Sequence, residues 1–136
     1  MEIAISRKAH FNAAHRLHVN EWSDEKNRTF FGLCNSPNFH GHNYELIVTV
    51  TGEIDKVSGF LIDMKWLAQL IVEEIEDRFD HKNLNLDCVE FKSLNTTTEN
   101  IAVVIWNLLK RRLDPHLKLK ITLYETERNF VEYSGK

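Results

Sequence analysis

Along the first dozen residues apolar and polar positions alternate. Ile3, Ile5, Ala9 and Phe11 share one face, and Ser6, Lys8 and His10 the other. The same period returns over residues 43–52, where Tyr44, Leu46, Val48 and Val50 fall together. It returns again over residues 117–125, with Leu117, Leu119, Ile121 and Leu123 set against Lys118, Lys120 and Thr122. A period of two marks strands with one buried face. A short last strand is predicted around Phe130 to Tyr133.

From Asp63 to about Phe79 the period lengthens to that of a helix. Leu67, Leu70, Ile71, Ile75 and Phe79 form the apolar stripe, with Glu73, Glu74, Glu76 and Asp77 as its wet face. A second helix is predicted to start in the Thr96-Thr97-Thr98 cluster, where a threonine oxygen can accept from free amides. It turns Ile101, Ala102, Ile105, Leu108 and Leu109 inward and stops before Pro115. Lys110, Arg111 and Arg112 complement the dipole at its end. Between the first two strands, about Leu17 to Phe39, lies a long irregular stretch rich in Asn, Ser and turn formers. Loops of this length are uncommon in small domains and are often functional. The order strand, loop, strand, helix, helix, strand, strand predicts an α+β fold: a four-stranded antiparallel sheet with two helices packed on one face.

Composition narrows the classes. The chain has 136 residues, 43% hydrophobic and 27% charged, without repeats or a flexible linker. That suits a single domain over residues 1–136 with a core of its own, so a metal is not needed merely to hold it together. The net charge is −3 with signs interspersed, which points away from nucleic acid. No apolar run has the length of a membrane span or a signal-peptide core, so a cytoplasmic protein is expected. Cys34 and Cys88 lie far apart and form no CxxC pair.

The candidate chemistry begins at His40-Gly41-His42. Residues two apart in an extended segment point the same way, so both imidazoles can close on one ion, and Gly41 leaves the backbone free to bend. Catalytic zinc typically takes three protein ligands and keeps one position open. His15, at the end of the first strand, is the best third ligand; His10 and His18 are alternatives on composition. Cys34, in CNSPNFHGHNY, leads directly into this pair. A thiolate there can act as base or nucleophile, or can complete a closed Cys/His₃ structural site. Asp80-His81 reads as an acid/base pair or as an ordinary helix end. Glu125 shares the apolar parity of Leu119, Ile121 and Leu123, where a carboxylate needs a partner unless the strand end has reached water.

Taken together, FNAAHRL, FFGLCNSPNFHGHNY, FDHKNLN, TTTENIAVVIW and LYETERNFVEY resemble, in order, the motifs of the 6-pyruvoyl tetrahydropterin synthase family. The resemblance spans nearly the whole chain. It implies a T-fold subunit, usually assembled as a homohexamer from two trimers with sites at subunit interfaces. It implies one Zn²⁺ per subunit on His15, His40 and His42, with Cys34 as the proton-abstracting base assisted by Asp80 and His81. Glu125 would hold the amino-pyrimidine edge of the pterin, with Thr97 and Thr98 lending backbone contacts. The implied activity is a zinc-dependent lyase converting 7,8-dihydroneopterin triphosphate to 6-pyruvoyl tetrahydropterin. Mg²⁺ can accompany the triphosphate, and no nicotinamide or flavin is needed. A sister branch makes 6-carboxytetrahydropterin for queuosine. The five residues between Cys34 and His40 match the pyruvoyl branch. A non-catalytic pterin-binding module is the alternative from another class. Arg28, Lys26 and Lys82 are available for phosphate.

Overall fold

The computed structural model describes residues 1–136. Strand β1 (Glu2–His15) leads to helix α1 (Asp24–Phe31), a 3₁₀ turn (Gly32–Asn35) and strand β2 (His40–Glu53). Helix α2 (Met64–Ile71) runs through a π-helical segment (Val72–Glu76) into α3 (Asp77–Phe79). Strand β3 (Lys82–Asn83), helix α4 (Leu84–Asp87), helix α5 (Thr98–Lys110), and strands β4 (Lys118–Tyr124) and β5 (Phe130–Tyr133) complete the chain. The sheet order is β3-β1-β2-β4-β5. Four strands are antiparallel, as the alternation predicts. The fifth, β3, is a two-residue strand parallel to the end of β1, pairing Ala13 with Lys82 and Ala14 with Asn83. It is too short to leave a period in the sequence.

The long pairing is β1 with β2, in register from Glu2 opposite Glu53 to His15 opposite His40. On its inner face lie Phe11, Ala13, Tyr44, Leu46, Val48 and Val50, all buried. Leu119, Ile121 and Leu123 continue that face on β4. The helices cover it with Leu67, Leu70, Ile71, Ile75, Phe79, Ile101, Ile105 and Leu109, forming one apolar cluster. Side chains of this size contribute about 1.5–3 kcal/mol each on burial, which makes this face the main source of stability. The first half of β1 reaches past the core: Ile3 is exposed despite its parity.

Caps start the helices where short polar residues precede them. Asp63 accepts from the Lys65 amide at 2.9 Å, and Thr97 accepts from the Asn100 amide at 3.2 Å. The stretch expected to be irregular between β1 and β2 holds α1, capped by Ser23 on the Lys26 amide. Apolar periodicity missed this helix because its buried anchor is polar. Asn27 is fully buried, its Oδ1 accepting from the Val19 amide at 2.8 Å and its Nδ2 donating to the Val19 carbonyl at 2.9 Å. No helix is long and apolar enough to cross a membrane.

Glu74 departs from its expected place on the wet face. It is buried, and the π segment carries it against three arginines. Its Oε2 accepts from Arg78 at 3.0 Å and Arg111 at 2.9 Å, and its Oε1 from Arg112 at 3.3 Å. Burial pushes the carboxyl pKa up, but Arg112, Arg78 and Arg111 outweigh it and hold the group below the usual range. This pins α2–α3 to the end of α5. Glu74→Ala is expected to lower stability by about 1–3 kcal/mol, between the ranges for exposed and for fully buried pairs because the arginines remain partly in water. Equilibrium urea unfolding measures it; an unshifted midpoint would show that the cluster contributes nothing.

Candidate metal centre and substrate site

The end of the β1–β2 ladder builds the site. His15 stands directly opposite His40, and Ala13 opposite His42, so the small Ala13 leaves its neighbours room. The alternation that buries Tyr44 and Leu46 aims His40 and His42 to the same side. Ring centroids of His15 lie 4.6 Å from His40 and 5.2 Å from His42, with 4.9 Å between the last two. One ligand nitrogen from each ring lies within 4.8 Å of the other two, and Cys34 is not part of this converging set. Gly41 makes no bend; it sits in the ladder opposite Ala14. His10 is exposed on the opposite face of β1. His18 is turned to the Asn35 amide, with its Nδ1 2.9 Å away.

The polarity of the rings suits a cation. His15 is buried, and its Nδ1 lies 2.7 Å from the Thr96 carbonyl, which only accepts. Nδ1 therefore carries the proton and Nε2 presents its lone pair, the arrangement usual for a metal-ligating histidine. His15 Nε2, His40 Nδ1 and His42 Nε2 are buried without any hydrogen-bond partner. Burial, more than any neighbour, pushes the His15 pKa down to about 4 and lowers that of His42. Three converging imidazoles, each with a buried nitrogen that lacks a partner, fit a divalent ion as the missing group. Phe39, immediately before His40, has φ +68°, a strained value for a bulky residue that turns the chain into β2.

Glu125 stands on the inner side just past β4. Its Oε1 is 3.7 Å from His42 Nε2, and its Oε2 accepts from the Thr98 hydroxyl at 2.5 Å. Thr98 is buried at the first position of α5, while the Thr97 oxygen is engaged in the cap. Cys34 lies half-buried in the 3₁₀ turn, its carbonyl accepting from the Leu17 amide at 2.9 Å. That bond holds the turn beside the end of β1. Tyr44, which the sequence marks only as a core position, is also part of this environment. Its ring lies 5.5 Å from His42 and 6.1 Å from His15, and burial, Glu125 and Cys34 all hold its phenol pKa above the ordinary value.

Asp80 and His81 form a pair, His81 Nδ1 to Asp80 Oδ2 at 3.0 Å, but they are not gathered round the imidazoles. They sit on the β1 edge, where the Asn12 amide donates to Asp80 at 2.8 Å and the His81 amide donates to the Asn12 carbonyl at 2.6 Å. Asn12 lies three residues back from His15 and points to the opposite face, so the separation is about 10 Å along the strand. The Asn12 amide first, then His81, holds the Asp80 pKa down. His81 itself is 83% exposed and has φ +60°. Of the cations considered for phosphate, Lys26 lies over the Trp22 ring at 4.1 Å and Lys82 is in β3, whereas Arg28 lines a cavity with Arg16 and His18. A larger cavity of about 650 Å³ also includes Arg16 and His18, together with Lys92.

With this geometry in place, comparison with known proteins is specific. The sequence pattern of the family described as "6-pyruvoyl tetrahydropterin synthase" matches residues 4–136. The human protein named 6-pyruvoyl tetrahydrobiopterin synthase is 44% identical over 132 residues, 97% of this chain and 91% of that one. The solved structure of Caenorhabditis elegans 6-pyruvoyl tetrahydropterin synthase superposes with a TM-score of 0.94 at 37% identity, covering 100% of this chain and 97% of the other. A Rickettsia typhi protein named 6-carboxy-5,6,7,8-tetrahydropterin synthase is 27% identical over 96% of this chain and 99% of that one.

The buried His15 gives a pH prediction for metal-free protein. Its folded pKa, about 4, lies below the ordinary 6.5, so protons prefer the unfolded chain. Stability is therefore complete above pH 6.5 and erodes as pH falls towards 4, by about 3 kcal/mol from this group. Urea midpoints of chelator-treated protein at pH 7.5 and pH 5 measure the loss; equal midpoints would contradict the burial argument.

Proposed function

We propose that this chain, which belongs to the 6-pyruvoyl tetrahydropterin synthase family, converts 7,8-dihydroneopterin triphosphate to 6-pyruvoyl tetrahydropterin with loss of triphosphate. The observation that carries the reading is the set of three buried imidazole nitrogens without partners, beside a carboxylate and without the Cys34 thiol among them. His15, His40 and His42 would hold Zn²⁺, one per subunit. Bound there, the ion would supply Lewis acidity to the side-chain hydroxyls of the substrate.

Glu125 receives the N–H donors of the amino-pyrimidine edge, held in orientation by the Thr98 hydroxyl. Thr97 and Thr98, at the open start of α5, offer backbone contacts to the ring. Cys34 takes the proton from a side-chain carbon acidified by the adjacent ring imine. Returned protons complete the ring reduction while the side chain is oxidised, so electrons balance within the substrate and no nicotinamide or flavin enters. Elimination expels triphosphate, which can carry Mg²⁺. Keeping Cys34 off the metal leaves the sulfur free as a base, and that separation supports catalysis over a closed structural site.

The Asp80–His81 pair stands apart from the imidazoles of its own chain, so it would move protons in the site of a neighbouring subunit, and its exposure on the β1 edge supports that arrangement. We therefore favour the homohexameric, dimer-of-trimers assembly. Two unpaired cysteines suit the reducing cytoplasm. The 44% identity to a pyruvoyl-forming relative, against 27% to a carboxy-forming one, supports the pyruvoyl product.

Mass spectrometry of products from zinc-loaded protein and dihydroneopterin triphosphate tests the reading. A 6-pyruvoyl product without acetaldehyde is expected; a 6-carboxy product with acetaldehyde would move the chain to the queuosine reaction. Cys34→Ala is expected to lower kcat by about 10²–10⁴-fold with zinc content unchanged, the range for loss of a general base. Equal turnover would remove Cys34 from the mechanism.

A further inference from the structure

Four buried side-chain nitrogen and oxygen atoms lack a hydrogen-bond partner: His15 Nε2, His40 Nδ1, His42 Nε2 and the Tyr44 hydroxyl. Three are the nitrogens that face the candidate metal position. The fourth belongs to the next inward residue of the same strand, two past His42. Tyr44 is fully buried, its ring stacked on Phe11 at a centroid distance of 4.9 Å and 14°. That stack needs no hydroxyl, and phenylalanine would fill the space equally well. A hydroxyl kept dry without a partner weakens the ligand-free protein, so its presence calls for a partner that arrives from outside.

The surroundings say what kind of partner. The acidic groups whose charges reach the hydroxyl are Glu125 and Cys34, yet neither is hydrogen-bonded to it. A phenol O–H offers one donor, so it needs an acceptor lying among the imidazoles, the carboxylate and the thiol. On the reading above, Glu125 takes the N–H donors of the pterin ring. The acceptors left are the oxygens of its side chain, which lie towards the imidazoles.

We propose that Tyr44 is a working group of this site, its hydroxyl donating a hydrogen bond to a side-chain oxygen of the bound pterin. This rests on the pterin reading of the site. As the side chain is oxidised that oxygen becomes a carbonyl, passing through forms that carry more negative charge, and a fixed donor stabilises them. Tyr44 would then act in catalysis by touching substrate, while forming no covalent bond and taking no proton.

The test uses zinc-loaded wild-type protein and Tyr44→Phe, each titrated with 6-hydroxymethylpterin and 6-methylpterin, ligands that differ by one oxygen. The wild type is expected to favour the hydroxymethyl compound, and Tyr44→Phe to lose about three- to tenfold of that preference, as for one hydrogen bond. Turnover of dihydroneopterin triphosphate by the variant is expected to fall by about 10²-fold in kcat, the scale for loss of one oxyanion donor. Zinc per chain should be unchanged, and the variant should melt no lower than wild type in zinc-free and loaded forms. A variant that melts lower would mean the hydroxyl already has a partner within the protein, and would overturn the proposal. So would an undiminished preference or wild-type turnover. If wild-type protein neither binds these pterins nor turns over the triphosphate, the pterin reading falls and takes this inference with it; selective wild-type binding with an equally selective variant sinks the inference alone.

Discussion

The site depends on the register between β1 and β2. That ladder spans fourteen residues on each strand and places His15 opposite His40 at its final rung. Because strand side chains alternate with period two, a slip of one residue would send His40, His42 and Tyr44 to the far face together. The same slip would expose Leu46, Val48 and Val50, so the core that stabilises the fold also enforces the geometry of the imidazoles. Metal-site placement and hydrophobic burial are here one constraint.

Burial then sets the chemistry of those rings. In water an imidazole is about equally available to proton and metal near neutrality, but His15 is closed off and its pKa falls to about 4. The Thr96 carbonyl fixes which nitrogen carries its hydrogen, and Thr96 immediately precedes the cap of α5. The start of one helix thus serves both sides of the site: Thr96 orients His15, and Thr98 orients Glu125 at 2.5 Å. A carboxylate that would be costly on an apolar strand face is answered there by the Thr98 hydroxyl.

The segment between the first two strands is an ordered insertion that carries Cys34 to the end of β1. Asn27 and Asn35 tie it down through side-chain bonds to Val19, Ser23, Leu17 and His18. Asn85 does the same for Arg16, accepting from its amide and donating to its carbonyl. Amide side chains, which offer donor and acceptor together, hold the backbone here in place of apolar packing. The turn that carries the thiol is thereby tied beside the end of β1, and Cys34 does not join the converging imidazoles.

Much of this was legible in the residues. Strict alternation marked β1, β2 and β4, a short last strand was expected where β5 lies, the 3.6-residue stripe and the threonine cluster marked α2 and α5, and parity singled out Glu125 on an inward face. Motif order pointed to the family, and the HxH pair with His15 named the rings that converge. The sequence by itself therefore determined which residues share a face, because the periods of strands and helices are local properties. Only the tertiary structure decided the rest. Helix α1 is anchored by a buried asparagine, so no apolar period announced it. Glu74 turned inward because three arginines, two of them from the end of α5, met it there. The Asp80–His81 pair went to the sheet edge through bonds to Asn12, and Tyr44 was left with an unanswered hydroxyl. Partners distant in sequence made each of these outcomes, and a hydrogen bond or ion pair between distant residues leaves no period along the chain.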